Sequence, residues 1–300
     1  MKECDTVDQQ AWLTERFEEH RTRLRAVAYR MLGSVSEAED AVQEAWLRLN
    51  RADTSDVENL AGWLTTVVAR VCLNVLRSRE QRREDPLEVH MPDPIISRED
   101  GVDPEQEALL ADAVGLALLV VLETLAPAER LAFVLHDMFA VPFEDIATMI
   151  EKTPAATRQL ASRARRRVQG QAPAPDPDLS RQRVVVDAFF GAARNGDFEA
   201  LVAVLDPDVV LRSDGGAARA QHTVVYAGAR TVASQAVTFS RLVPFVRPAL
   251  VNGAAGVVVA TEGRTLSVMA FTVLDGRIVN IDVLVDPERL AGLDLAAFHR

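Results

Sequence analysis

FEDIATMIEKTPAATRQLASRARRRV, residues 143–168, reads as two short helices joined by a tight turn. Phe143, Ile146 and Ile150 give the first helix an apolar face, and small Ala147 lets a second helix approach it. Thr153 suits an N-cap, and Pro154 suits the first helical position, where its fixed φ helps and its missing N–H costs nothing. The second helix is expected to run from Pro154 to about Arg167, turning Ala155, Arg158, Gln159, Ser162, Arg163 and Arg166 outward. A helix-turn-helix lays its second helix in the DNA major groove, where Arg and Gln read base edges and further arginines pair with phosphates. The competing reading is a surface helix whose basic end merely suits the helix dipole. Glu151 holds the turn position where glycine is the easy choice, so the turn must close without it.

Outward from this stretch, composition sets the limits. Three hundred residues, 48% hydrophobic and only 5% aromatic, fit two or three domains with cores of Leu, Val and Ala. A formal net charge of −11 argues against a general nucleic-acid coat, because non-specific affinity comes from phosphate neutralisation. Charge is segregated instead. Residues 158–167 carry Arg158, Arg163, Arg165, Arg166 and Arg167 with no acid, whereas residues 84–107 hold nine acids against one Arg. That map predicts local DNA contact within a chain built mainly for protein contact. Cys4 and Cys72 lack metal spacing and read as reduced thiols of a cytoplasmic protein. MKECDTVDQQ has no apolar signal core, and no run of about 18 apolar residues predicts a membrane span.

Residues 10–83 read as helices throughout. Phe17, Leu24, Val27, Ala28, Met31 and Leu32 recur at helical spacing; Gly33 stops that helix, and Ser34 or Ser36 caps the next. The second helix is expected to bury Ala38, Val42, Ala45, Trp46 and Leu49 and to turn Asp40, Gln43 and Glu44 outward. A third runs from about Leu60 to Arg79, with Trp63, Leu64, Val67, Val71 and Leu76 on its inner side. Pro86, Pro92, Pro94 and Pro104 make residues 84–107 an acidic linker that leaves the flanking modules separable. Helical pattern returns over residues 108–169, including the apolar run Ala113–Leu122, before a Pro-rich break at 170–180. Residues 181–300 change texture: helices first, then Val-rich runs with an Asp275-Gly276 turn, which predict antiparallel strands and an α+β domain.

SEAEDAVQEAWLRLN, ENLAGWLTTVVARVCLNVLRSREQRR and the helix-turn-helix, in that order, resemble an extracytoplasmic-function sigma factor of RNA polymerase. The C-terminal 120 residues resemble a SnoaL-like domain of the nuclear-transport-factor-2-like superfamily, and the pairing is similar to the SigJ-type subgroup. The resemblance implies two all-α sigma modules plus a C-terminal α+β cone, with core polymerase (β′ clamp and β flap) and promoter DNA as partners. It implies that Asp40, Gln43 and Glu44 face the polymerase clamp. It places Asn59, Arg70, Asn74, Arg77 and Arg79 on the −10 element, Asn59 beside an unpaired base and the others along the strand. The −35 element falls to Arg158, Gln159, Ser162, Arg163 and Arg166. The linker would occupy the polymerase cleft or exit channel; the subgroup's Trp-Leu-Pro motif is represented by HMPDP at residues 90–94. Two subgroup motifs correspond to Asp214, Gly215, Gly216 and to Asp286, Pro287, Glu288, Arg289, Leu290, and imply an interdomain surface.

A helix-over-sheet cone carries a pocket, so a small-molecule ligand is conceivable and so is catalysis. Asp208, Asp214, His222, Glu262 and Asp282 are the candidate acid–base groups, but no nucleophile–base spacing or metal-ligand cluster accompanies them. The expectation is therefore no catalytic residue, no metal and no cofactor. Two readings compete with a sigma factor: a helix-turn-helix regulator with a ligand-sensing domain outside the polymerase, and a SnoaL-like enzyme with an N-terminal interaction module. Cutting the chain after residue 172 is expected to change promoter output if the last domain is regulatory.

Overall fold

The computed structural model describes residues 2–52, 59–82, 91–99, 115–171, 175–293 and 295–299, with side chains from Trp12 onward. The thiol of Cys4, most of the 51–59 loop and most of the 84–107 linker lie outside the described residues. The chain divides into two compact units, residues 1–84 with 122–169, and residues 85–121 with 170–300.

In the first unit, α1 (Lys2–Leu32), α2 (Val35–Leu49) and α3 (Leu60–Arg82) bury one apolar stripe each. Gly33, at φ +69°, ends α1, and the Ser34 hydroxyl accepts the Glu37 N–H to open α2. The buried stripe of α3 is Leu64, Val68, Cys72, Leu73 and Leu76; Trp63, Val67 and Val71, expected inside, are half-buried along its flank. By length and composition α3 could cross a membrane, yet this packed stripe opposite exposed Arg70 and Arg77 is the pattern of a core helix. Trp46 is also half-buried, tilted against Phe17 with ring centroids 5.0 Å apart.

The later helices are α4 (Leu116–Glu123), α5 (Pro127–Phe133, running into a π turn over Val134–Met138), α6 (Phe143–Met149) and α7 (Pro154–Gln171). The sequence reading made the two helical modules separable, whereas here α5 packs on α3 within one unit. Arg130 is the physical reason. Its guanidinium, 3% exposed, donates to the Met31 carbonyl at 2.8 Å and pairs with Glu123 at 2.9 Å. Arg23 adds a donation to the Phe139 carbonyl at 3.0 Å.

The second unit sets α8 (Leu179–Asn195), α9 (Phe198–Val204) and α10 (Ala229–Thr238) against one sheet. Its strands are β1 (Ile96–Ser97), β2 (Leu205–Asp214), β3 (Val224–Ala227), β4 (Val246–Val251), β5 (Ala254–Thr261), β6 (Arg264–Leu274) and β7 (Arg277–Leu284), in the order β1-β4-β5-β6-β7-β2-β3. The α+β expectation holds, with one correction: β2 and β7 pair in parallel, because the β4–β7 meander returns its last strand beside β2 from the same end. The core joins Val186, Phe189, Leu201, Val232, Val257, Phe271 and Ile281. Asn252-Gly253 and Asp275-Gly276 close two hairpins, with φ between 50° and 77° at all four residues, as two-residue turns of this hand require. The Asn252-Gly253 turn thereby separates β4 from β5.

The described part of the acidic linker docks on this sheet. β1 pairs with β4 (Ile96 opposite Val251), and the Asn252 side chain accepts the Ile95 N–H at 3.1 Å while its N–H donates to the Ile95 carbonyl. Met91 is 1% exposed. Although HMPDP lacks Trp and Leu, Met91 and its backbone fill the contact.

Candidate nucleic-acid interface

On α2, Asp40 and Gln43 are exposed and Glu44 is half-exposed, one turn apart on one edge. Arg48 reaches back to Glu44 at 2.8 Å. Leu47, 41% exposed, continues the same edge and was not singled out from the sequence. A polar edge with one apolar anchor is a protein-docking edge in miniature.

Asn59 precedes α3 and caps it: its side-chain oxygen accepts the Gly62 N–H at 2.9 Å, and its carbonyl accepts the Trp63 N–H. A Cβ on Gly62 would sit 2.8 Å from the Asn59 amide nitrogen, so the glycine makes room for the cap. Arg70, Asn74 and Arg77 stand exposed at i, i+4 and i+7, a single stripe. Arg79 leaves that stripe. It donates to the Leu32 carbonyl at 3.0 Å and pairs with Glu37, tying α3 to the α1–α2 turn. Asn59 and Trp63 line a groove of about 470 Å³ whose other wall is Phe139, Val141, Pro142, Asp145 and Met149.

The helix-turn-helix is built as its residues dictate. Thr153 accepts the Ala156 N–H at 3.2 Å through its hydroxyl, and α7 starts at Pro154. Glu151 closes the turn at φ +56°, the left-handed position that was expected to lack a glycine. Thr157, Leu160, Ala161, Ala164 and Val168 are buried, leaving Arg158, Gln159, Ser162, Arg163 and Arg166 exposed on the opposite face. Arg158 lies 5.4 Å over the Phe143 ring and 2.7 Å from Glu144; Arg163 pairs with Glu129 at 3.0 Å. The Arg158–Glu144 pair sits in solvent and is weak, so phosphate can displace it, whereas Glu129 is only 15% exposed. Among the described residues no carboxylate reaches Arg166.

In the second unit the five acid–base candidates scatter. Asp208 and Glu262 are exposed, and His222 sits at the mouth of a cavity. Asp282 is 1% exposed; burial pushes its carboxyl up, opposed by Arg212 at 3.2 Å. Leu211, Ser213 and Val283 line the cavity, so the alternating Arg212 and Asp282 belong to the other sheet face. Asp214, 2% exposed, accepts the Met91 N–H at 2.9 Å and Arg289 at 2.8 Å. Arg289 also donates to the Met91 carbonyl at 2.5 Å and to Asp93 at 2.6 Å. Asp286 caps the short helix α11 (Pro287–Ala291), where Leu290 is buried. A Cβ on Gly216, which holds φ +59°, would fall 1.9 Å from an Asp286 oxygen. Both C-terminal motifs therefore converge on the linker, and Arg289, which sequence reading placed in a motif without a role, does most of the holding.

The Sigma-70 region 2 family model matches residues 16–83, and the Sigma-70, region 4 model matches residues 115–168. The chain is 38% identical over 275 residues to the probable ECF RNA polymerase sigma factor SigI of Mycobacterium tuberculosis, covering 90% of this chain and 92% of that protein. It is 39% identical over 294 residues to the ECF RNA polymerase sigma factor SigJ of the same organism, covering 93% of each. The crystal structure of Mycobacterium tuberculosis extracytoplasmic function sigma factor SigJ superposes with a TM-score of 0.76 at 35% identity, over 94% of this chain and 99% of that one.

Proposed function

The chain belongs to the extracytoplasmic-function RNA polymerase sigma factors, and from that premise we propose how its residues divide the work of promoter selection. A sigma factor binds core polymerase and promoter DNA. Residues 10–83 serve as the clamp-binding and −10 module, 84–107 as the linker, 108–169 as the −35 module, and 181–300 as a regulatory domain joined through 170–180. The edge Asp40, Gln43, Glu44 and Leu47 meets the polymerase. Arg70, Asn74 and Arg77 follow the −10 strand, Asn59 and Trp63 hold its base, and Arg79 keeps the helix bundle in shape. The observation that carries the −35 assignment is the α7 face of Arg158, Gln159, Ser162, Arg163 and Arg166, turned wholly opposite the buried stripe.

Two promoter elements lie apart on the duplex, while Asn59 and Trp63 here face residues 139–149 across one groove. The two modules therefore part when the promoter is bound. The C-terminal domain acts as regulator rather than enzyme: no carboxylate stands among the described residues lining its cavity, and of the five acid–base candidates the lining holds His222 alone, exposed at the mouth. The chain works in the cytoplasm beside the polymerase, which performs the chemistry of RNA synthesis.

Run-off transcription with purified core polymerase tests the reading. Full-length protein gives promoter-specific transcripts; a double substitution Arg158→Ala, Arg166→Ala removes them without loss of core binding, and Asp40→Ala with Leu47→Ala removes core binding itself. Non-specific transcription from the full-length protein overturns it. Regulation is tested with Arg289→Ala in the full chain, because a cut after residue 172 also strips the linker of the sheet it docks on. Unchanged promoter output on releasing the linker removes the regulatory role.

A further inference from the structure

The second unit contains a cavity of about 340 Å³ between α8, α10 and the sheet. Protein interiors are close-packed and rarely keep voids larger than a water molecule, so a space of this size is a binding site by dimension. At roughly 30 Å³ per water-sized group it takes on the order of ten to fifteen non-hydrogen atoms. Its body is apolar: Phe189, Phe190, Leu211, Met269 and Val283 form the floor and walls, and Phe239, 46% exposed, stands at the opening.

The basic side chains gather at one end, and Tyr226 and Gln235 add polar groups to the lining. Ser213, at the end of β2, and the short 3-10 helix that follows, Ala217–His222, bring Arg219, Gln221 and His222 to the rim. Register places Ser267 at the same end, since Val268 pairs with Leu284 and Ser213 with Val283. Arg219 is held there by one donation to the Val285 carbonyl at 3.3 Å, and its guanidinium carries further N–H groups that a ligand can use. Every charged or ionisable group on that rim is a base, and no carboxylate opposes them among the described lining residues. An apolar pouch with a basic, donor-rich mouth selects an occupant by both ends at once.

We propose that this cavity binds a small amphipathic acid, a chain or flat ring system of roughly ten to fifteen non-hydrogen atoms whose carboxylate meets Arg219 and His222. The inference deepens the regulatory reading of the C-terminal domain, but binding stands or falls separately from any effect on transcription. A cation of the same size is excluded by the sign of the rim; an uncharged one loses the charge-assisted bonds.

The test uses the full chain with three probes of one length, decanoic acid, 1-decanol and decyltrimethylammonium, titrated by calorimetry while the Met269 methyl signal is followed by NMR. Decanoic acid is expected to bind about tenfold more tightly than decanol, with the ammonium weakest and the Met269 methyl shifting on saturation. Arg219→Gln should bring acid and alcohol to similar affinity while both still move Met269. Ala236→Phe, which fills the pouch, should abolish binding of all three; if that variant does not fold, the Met269 shift in the parent protein still locates the ligand. No binding of decanoic acid, equal affinity for acid and alcohol in the parent protein, or binding without a Met269 shift each overturns the proposal. Binding with unchanged promoter output keeps the site and removes only its regulatory use.

Discussion

Asp214 and Arg289 face each other at 2.8 Å and share Met91 between them, the carboxylate accepting its N–H and the guanidinium donating to its carbonyl. One acid–base pair thus grips both polar groups of a single backbone residue in the linker, and Asp93 lies against the same guanidinium. Removing Arg289 leaves Asp214, 2% exposed, as a buried charge without its cation. Arg289→Ala should destabilise the second unit by about 3 kcal/mol in a denaturant titration. Hydrogen exchange at residues 91–97 should accelerate more than at β6, which locates the loss at the linker.

Gly216→Ala tests the same corner from the other side. A methyl there must share space with the Asp286 carboxylate at a positive φ, so α11 loses its cap or the turn unwinds. A fall in thermal stability comparable with Arg289→Ala is expected, whereas Gly191→Ala, with open space around its Cβ, should leave stability unchanged or raised.

Glu151 pays a backbone cost that glycine would not, with φ +56° in the helix-turn-helix. Glu151→Gly should raise the stability of the first unit by roughly 0.5–1 kcal/mol, net of the added freedom of the unfolded chain. Equilibrium unfolding monitored by circular dichroism reads it directly. Loss of stability would mean that the turn draws on the glutamate side chain.

Glu144 holds Arg158 in solvent, and under the proposed −35 reading DNA phosphate competes for the same guanidinium. Glu144→Gln should tighten promoter binding by the holoenzyme. Arg166→Ala should weaken it and flatten the dependence of log affinity on log salt by about 0.9, the value of one phosphate contact. A salt series in a fluorescence anisotropy assay separates the two outcomes.

Burial pushes the Cys72 thiol up from 9.0 to about 12. The folded protein keeps the proton to higher pH than the unfolded chain does. Its contribution to stability is therefore intact below pH 9 and lost progressively as pH rises from 9 to about 12. At pH 8 the thiol should resist alkylation until the helices separate, so the rate of iodoacetamide labelling in native protein measures opening of the first unit. Labelling as fast as that of a free cysteine would contradict the burial.

Much of this architecture was legible because periodicity and capping are local. Thr153, Pro154 and the spacing from Thr157 to Val168 fixed the face of α7 before any packing was known. Gly33 and Ser34 did the same for the α1–α2 turn. Other features depend on partners distant in sequence. Nothing near Arg79 announces Glu37, and nothing near Arg130 announces the Met31 carbonyl, so the union of the two helical modules was out of reach. The prolines at 92 and 94 spoke for an extended linker and were silent about its bed. Asn252-Gly253 is a local signal of the same kind as Asp275-Gly276, because the dipeptide is a strong hairpin mark.

The docking of β1 against β4 sets an order of events during synthesis. Asp93 leaves the ribosome 196 residues before Arg289, the group that holds it. At 5–20 residues per second that interval is roughly 10–40 s. Throughout it the helical modules can be complete while the linker has no sheet to join. A nascent or prematurely terminated chain therefore presents its helical modules before the C-terminal domain exists to claim the segment between them. Every newly made molecule passes through a period in which that claim has yet to be made.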